Sequence, residues 1–85
     1  MKKVNFQKVT IKDIEGNDVV ADFSKQIGNQ LYMQGQNIEE CELGKRIYFA
    51  KDGEVEMSDK DCDAVKRITM GYAYIAREAI ENAMK

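Results

Sequence analysis

The feature that most constrains the fold is the segment from Ser58 to Lys85, where the only residue unfavourable to a helix is Gly71. Ser58 is a suitable N-cap, and Asp59 and Asp61 follow it near the positive end of the helix dipole. At about 100° per residue, the apolar side chains fall in one broad stripe, which comprises Val65, Ile68, Tyr72, Ile75, Ala76, Ala79, Ile80 and Ala83. The pattern predicts one long C-terminal helix of about 27 residues, or about 40 Å at 1.5 Å per residue.

Such a helix would be longer than the core that it covers. A compact domain of this size is roughly 30 Å across, so the helix either overhangs the core or bends at Gly71. Met70 and Tyr74 lie one turn apart on the predicted outer face, and Gly71 beside them leaves room for another backbone. Together with Arg77 they are the predicted partner-binding residues, because aromatic and arginine side chains are enriched at interface hot spots. The alternative is that the helix is shorter and these are ordinary exposed side chains.

Residues 2–23 are predicted to form an N-terminal β-hairpin. Val4, Phe6, Val9 and Ile11 occupy mostly alternate positions, which is typical of a half-buried strand. The change of parity between Phe6 and Val9 predicts a bulge. The stretch 15–18, Glu-Gly-Asn-Asp, is a turn signal, and residues 19–23 supply the returning strand.

Two short helices are predicted between the hairpin and the long helix. Ser24 is a candidate N-cap for a helix over 25–35, which Gly28 and Gly35 weaken by about 1 kcal/mol each relative to alanine. Asn37, with Glu40 three residues later, resembles a capping box for a second helix that reaches Ala50. Residues 54–57 alternate, as expected of either a third short strand or an extended link. The predicted fold class is therefore α+β, with the hairpin packed against two short helices and one long C-terminal helix in a single domain over 1–85.

Composition limits the classes of function. The formal net charge is −2, which disfavours a general nucleic-acid-binding protein. Two cysteines, Cys41 and Cys62, are too few for a disulfide scaffold and indicate a reducing compartment, although a bridge between them remains an alternative in an exported protein. No signal peptide and no membrane-spanning segment are predicted, so we expect a cytoplasmic protein.

No catalytic, metal-binding or cofactor-binding constellation is predicted. Asp59, Asp61 and Asp63 have the spacing of a calcium loop, but Ala64 and Met70 stand where glycine and glutamate are required. The cysteines supply half of a zinc site at most, because the chain contains no histidine. An enzyme that uses carboxylates or Tyr32 and Tyr48 is the least favoured class, and no small-molecule substrate is inferred.

Three stretches of the chain carry a resemblance to a known group of proteins. They are residues 27–32 (Ile-Gly-Asn-Gln-Leu-Tyr), 42–48 (Glu-Leu-Gly-Lys-Arg-Ile-Tyr) and 53–58 (Gly-Glu-Val-Glu-Met-Ser). Over about residues 22–66 the chain resembles small proteins encoded by phages and integrated mobile elements. The resemblance implies a strand segment that leads into helices and a final helix after the Gly-Glu-Val-Glu step. It implies a genomic context and no particular activity or catalytic residue.

The sequence as a whole predicts a non-enzymatic protein-binding or adaptor module. Its partner would be another protein or a second copy of the chain, bound through Met70, Tyr74 and Arg77. The alternative is a nucleic-acid-associated regulator with a local basic patch, which would comprise Lys2, Lys3, Lys8, Lys45 and Arg46.

Overall fold

The computed structural model describes residues 1–85 as four short strands and four helices. In chain order the elements are β1 (Lys2–Asn5), β2 (Val9–Lys12), β3 (Asp18–Ala21), α1 (Ser24–Gln34), α2 (Ile38–Tyr48), β4 (Glu54–Met57), α3 (Asp59–Ile68) and α4 (Tyr74–Ala83). A cluster of 16 buried apolar residues draws on every one of these elements except β3. The predicted α+β class is confirmed, and none of the helices combines the length and apolarity that crossing a membrane requires.

The strands form two separate antiparallel pairs. β2 and β3 make a hairpin in the register Val9↔Ala21, with Gly16 at a φ of 85° in its turn. The predicted hairpin is therefore confirmed for residues 9–21. It is wrong for residues 2–5, because β1 pairs instead with β4 in the register Val4↔Val55.

The change of parity after Phe6 is a turn that separates β1 from β2. The backbone N–H of Gln7 donates to the Asn5 side chain at 2.9 Å, and the Gln7 amide donates to the Ala50 carbonyl at 2.8 Å. Phe6 is fully buried at this point. The chain turns between two sheets here. Of the two alternatives for residues 54–57, the structure shows the short strand, which pairs with β1.

α1 and α2 form an antiparallel helical hairpin close to the predicted bounds. Asn37 caps α2, since its side chain accepts from the Glu40 N–H at 2.9 Å. The capping prediction for Ser24 is wrong: Ser24 is the first helical residue, and its N–H and hydroxyl both donate to Asp22. α2 ends at Tyr48, two residues before the predicted end at Ala50.

The prediction of one long C-terminal helix is wrong. α3 ends at Ile68 and α4 begins at Tyr74. The Thr69 hydroxyl donates to the Val65 carbonyl at 2.8 Å, while the Gln30 amide of α1 donates to the Ile68 carbonyl. The side-chain oxygen of Gln30 also accepts from the Tyr72 hydroxyl at 2.7 Å.

Gln30 thus satisfies a carbonyl at the end of α3 and holds the following turn in place. Beyond the turn, α4 packs against β2 and buries Ala79 and Ile80. A straight helix would have carried these two apolar side chains away from the core, so the break allows them to be buried.

Candidate functional site

The three predicted partner-binding residues come together at the corner between α3 and α4. Met70 lies in the turn and Tyr74 at the start of α4, and their side chains are 67% and 66% exposed. The Arg77 guanidinium donates to the Met70 carbonyl at 3.3 Å and lies 5.9 Å from the centre of the Tyr74 ring. The neighbouring Ile75 is 52% exposed. We call these four residues the corner patch.

Ile75 is the member of the corner patch that the sequence pattern missed. A wheel drawn for one straight helix places Ile75 in the buried stripe with Ile68 and Tyr72. The five residues between α3 and α4 interrupt that periodicity. Of the residues in α4 that were predicted to face the core, only Ala79 and Ile80 are buried. Tyr72 points inward, and burial raises the pKa of its hydroxyl.

The basic residues of the alternative prediction come from β1, from the turn after it and from α2. Lys2 and Lys3 are successive residues of β1, so their side chains project to opposite faces. Lys8 is exposed in the turn before β2. Lys45 and Arg46 lie on α2. Lys3 and Arg46 both adjoin Glu56: Lys3 is its partner across the β1–β4 pair, and the Arg46 guanidinium donates to its carbonyl at 3.2 Å.

Three of these cations also have carboxylates close by. Lys3 borders a surface depression together with Asp52, Glu54 and Glu56. The ammonium of Lys45 lies 3.6 Å from Glu42, and the Arg46 guanidinium lies 3.7 Å from Asp61. These neighbours reduce the positive potential that a phosphate backbone would meet.

A cavity lies between α1 and α2, at a place where the sequence predicted no site. Its volume is about 370 Å³. We call it the aromatic cavity, and its lining residues are Gly28, Asn29, Tyr32, Gly44, Lys45, Tyr48 and Phe49. Tyr32 and Tyr48 had been considered only as side chains of an enzyme, and their proximity follows from how the two helices cross.

Two glycines set that crossing. A Cβ atom on Gly28 would lie 2.8 Å from the Gly44 carbonyl oxygen, and one on Gly44 would lie 2.6 Å from the Gly28 carbonyl oxygen. The helix backbones therefore touch at this point, as only glycine permits. Tyr32 and Tyr48 each follow one of these glycines by one helical turn. Because no side chain lies at the crossing itself, a hollow remains between the two tyrosine rings.

Two lysines border the aromatic rings of the cavity. The Lys25 ammonium lies 4.1 Å from the centre of the Tyr48 ring and donates to the Tyr48 carbonyl at 3.0 Å. The Lys45 ammonium lies 5.7 Å from the centre of the Tyr32 ring. No carboxylate lines the cavity. Its electrostatic character is therefore cationic at the rim and neutral along the walls.

The two cysteines are free, and neither belongs to the lining of the aromatic cavity. Cys62 is buried, and burial raises the pKa of its thiol, while Cys41 is half-buried on α2 with its sulfur 3.5 Å from the Tyr32 carbonyl. Asp61, considered above as a calcium ligand, accepts from the Ser58 N–H and forms a capping box at the start of α3. No group of three or more acidic, cysteine or histidine side chains is placed to hold a metal ion.

Comparison with known proteins found no match to this chain among protein families, curated proteins or solved structures.

Proposed function

We propose that this protein is a non-enzymatic protein-binding module that contacts its partner through the corner patch. The observation that carries the proposal is the grouping of Met70, Tyr74 and Arg77 at one corner of the molecule. Met70 and Tyr74 are 67% and 66% exposed, and the Arg77 guanidinium lies against both. Contiguous exposed apolar side chains are more informative than scattered ones, because they mark surfaces that gain free energy when another protein covers them.

The internal contacts of the corner patch favour binding. Arg77 is already held by the Met70 carbonyl and lies near the Tyr74 ring, so less side-chain freedom is lost when a partner arrives. The turn that carries Met70 is itself fixed by Gln30 and Tyr72. A flexible methionine beside a positioned tyrosine and arginine combines adaptability with the residue types found at hot spots.

The exposed edge of the β2–β3 hairpin is a weaker candidate for self-association. Antiparallel pairing of two copies of β3, centred on Val20, would place Asp18 opposite Asp22 of the second copy. Like charges directly opposite one another destabilise a strand pair, and charged residues at an edge strand commonly prevent such pairing. Self-association of the hairpin edge in this register is therefore disfavoured.

The proposal is tested by replacing Met70 and Tyr74 together with glutamate. Both side chains are exposed, so the variant should fold as the wild type does, which circular dichroism checks. We expect the wild-type chain to self-associate in size-exclusion chromatography with light scattering, or to retain a protein partner when purified from its native cell. The double variant should lose that association. Met33→Glu, at a methionine on α1 that is 73% exposed, is the matched control and should behave as the wild type.

One result would refute the proposal. If the wild type and the double variant are both monomers and retain the same partners, the corner patch is not a binding surface.

A further inference from the structure

We propose that the aromatic cavity binds a small, flat aromatic molecule that carries one anionic group, a carboxylate or a phosphate. The cavity volume of about 370 Å³ lies within the range of about 300–1,000 Å³ that is usual for small-molecule sites. This site shares no residue with the corner patch, so the two proposals stand or fall separately.

The walls of the cavity match a flat ring. Tyr32 and Tyr48 come from two different helices, and Phe49 follows the end of α2 with a side chain that is 71% exposed. The Tyr48 and Phe49 rings meet edge to face, with centroids 4.8 Å apart. A flat ring placed between them and Tyr32 would cover apolar surface that water now contacts, and aromatic pairs add a geometric preference to that burial.

The rim of the cavity matches an anion. Lys45 lines the cavity and Lys25 lies over one of its rings, whereas none of the 15 acidic residues of the chain contributes to the lining. The ion pair between Lys45 and Glu42 is long and both side chains are more than half exposed, so Lys45 can turn towards a bound anion at little cost. Asn29 supplies an amide that both donates and accepts hydrogen bonds.

The floor of the cavity is rigid. Gly28 and Gly44 hold the two helix backbones in contact, so the backbone positions from which Tyr32 and Tyr48 project are set before any ligand arrives. A site that needs no rearrangement loses less binding free energy to ordering than a flexible surface does.

The test is a titration of the ¹⁵N-labelled chain, followed by NMR, with four probes. They are 2-naphthoate, 2-naphthyl phosphate, the neutral 2-naphthalenemethanol, and cyclohexanecarboxylate, which has the charge without the flat ring. We expect at least one naphthyl anion to shift the amide signals of Gly28, Asn29, Gly44 and Lys45 with a Kd below about 1 mM, and the tighter of the two anions identifies the preferred group. Each of the other two probes should bind at least about fivefold more weakly than that anion.

Two variants test the roles of the residues. Lys45→Gln should weaken binding of the naphthyl anion about fivefold and reduce its dependence on salt, with Lys25 supplying the part that remains. Phe49→Ala should weaken binding of all naphthyl probes by a similar factor. Both side chains are exposed, so both variants should stay folded. Lys60→Gln and Ile38→Ala, at exposed positions outside the cavity, are the matched controls and should bind as the wild type does.

Several results would overturn the proposal. Among them are shifts confined to other residues, equal binding of the neutral alcohol, the absence of saturable shifts at about 10 mM probe, and unchanged affinity in both variants. If an acidic peptide with an aromatic side chain shifts the cavity amides while the naphthyl anions do not, the site recognises a protein segment and the small-molecule proposal is wrong.

Discussion

Replacing Gly28 with alanine tests whether the contact between α1 and α2 depends on the absence of a side chain. The added Cβ atom would lie 2.8 Å from the Gly44 carbonyl oxygen and 2.9 Å from the Tyr48 backbone nitrogen. Both are backbone atoms within a helix, so no side-chain rotation relieves the contact. The two helices must separate, and the buried side chains between them, including Ile27 and Leu43, must loosen with them.

The expected magnitude follows from two opposing terms. Overpacking of a well-packed interior costs about 1–3 kcal/mol, and a clash against backbone belongs near the upper end of that range. Alanine is the better helix former by about 1 kcal/mol, which offsets part of the cost. The net loss should be about 2 kcal/mol, which corresponds to a decrease in Tm of roughly 8–16 °C for a chain of this size.

Denaturation by urea gives the free energy of unfolding. If the slope of that free energy against urea concentration is unchanged, the unfolded state is unaffected by the substitution. Gly71→Ala is the matched control, because a Cβ atom there meets nothing within 4 Å and the residue does not have a positive φ. That variant should be as stable as the wild type, or more stable by about 0.4–1 kcal/mol. If Gly28→Ala is as stable as Gly71→Ala, the reasoning about the helix crossing is wrong.

Three further predictions concern single side chains. The hydrogen bonds from Arg67 lower the pKa of Glu40, so the stabilisation by Glu40 is complete above about pH 4.5 and is lost as the pH falls through the lower folded-state pKa. Urea denaturation should therefore show a larger cost of Glu40→Gln at pH 6 than at pH 3, and equal costs would contradict the role of this pair. Ser58→Ala removes the side-chain acceptor of the capping box at α3 and should cost about 1 kcal/mol in the same assay, and a loss well below that would show that the cap contributes little. Cys62 is buried with a raised thiol pKa, so an alkylating reagent at pH 8 should modify Cys41 first and reach Cys62 only on unfolding, which mass spectrometry of digests measures.

The elements that sequence reasoning located well are those with local signals. The α2 start is fixed by Asn37 and Glu40, three residues apart, and the α3 start by Ser58 and Asp61 at the same spacing. The β2–β3 hairpin follows from a turn that contains Gly16. Each of these signals acts within a few residues, so no knowledge of the rest of the fold is needed to read it.

Apart from the Ser24 cap, the errors arise where the deciding partner is distant in the chain. β1 pairs with β4 across about fifty residues, as in Lys3↔Glu56, and alternation of side chains says only that a strand is half-buried. The change of parity after Phe6 predicted a bulge within one strand, whereas the chain turns there, so residues 2–5 were wrongly joined to the hairpin. Gly28 shows the same limit: its cost to helix propensity was evident, but the benefit lies in its contact with Gly44, which no local pattern reveals.

The corner patch shows how residues can adjoin one another for a reason other than the predicted one. Met70, Tyr74 and Arg77 were grouped as the outer face of one continuous helix, whereas they adjoin one another because the chain turns between α3 and α4. The turn depends on Gln30, whose side chain reaches the Ile68 carbonyl from α1. By ending α3 there, Gln30 allows α4 to return to β2 and bury Ile80, while Met70 and Tyr74 are left exposed at the corner. Completion of the core and exposure of the corner patch are therefore two consequences of one helix break.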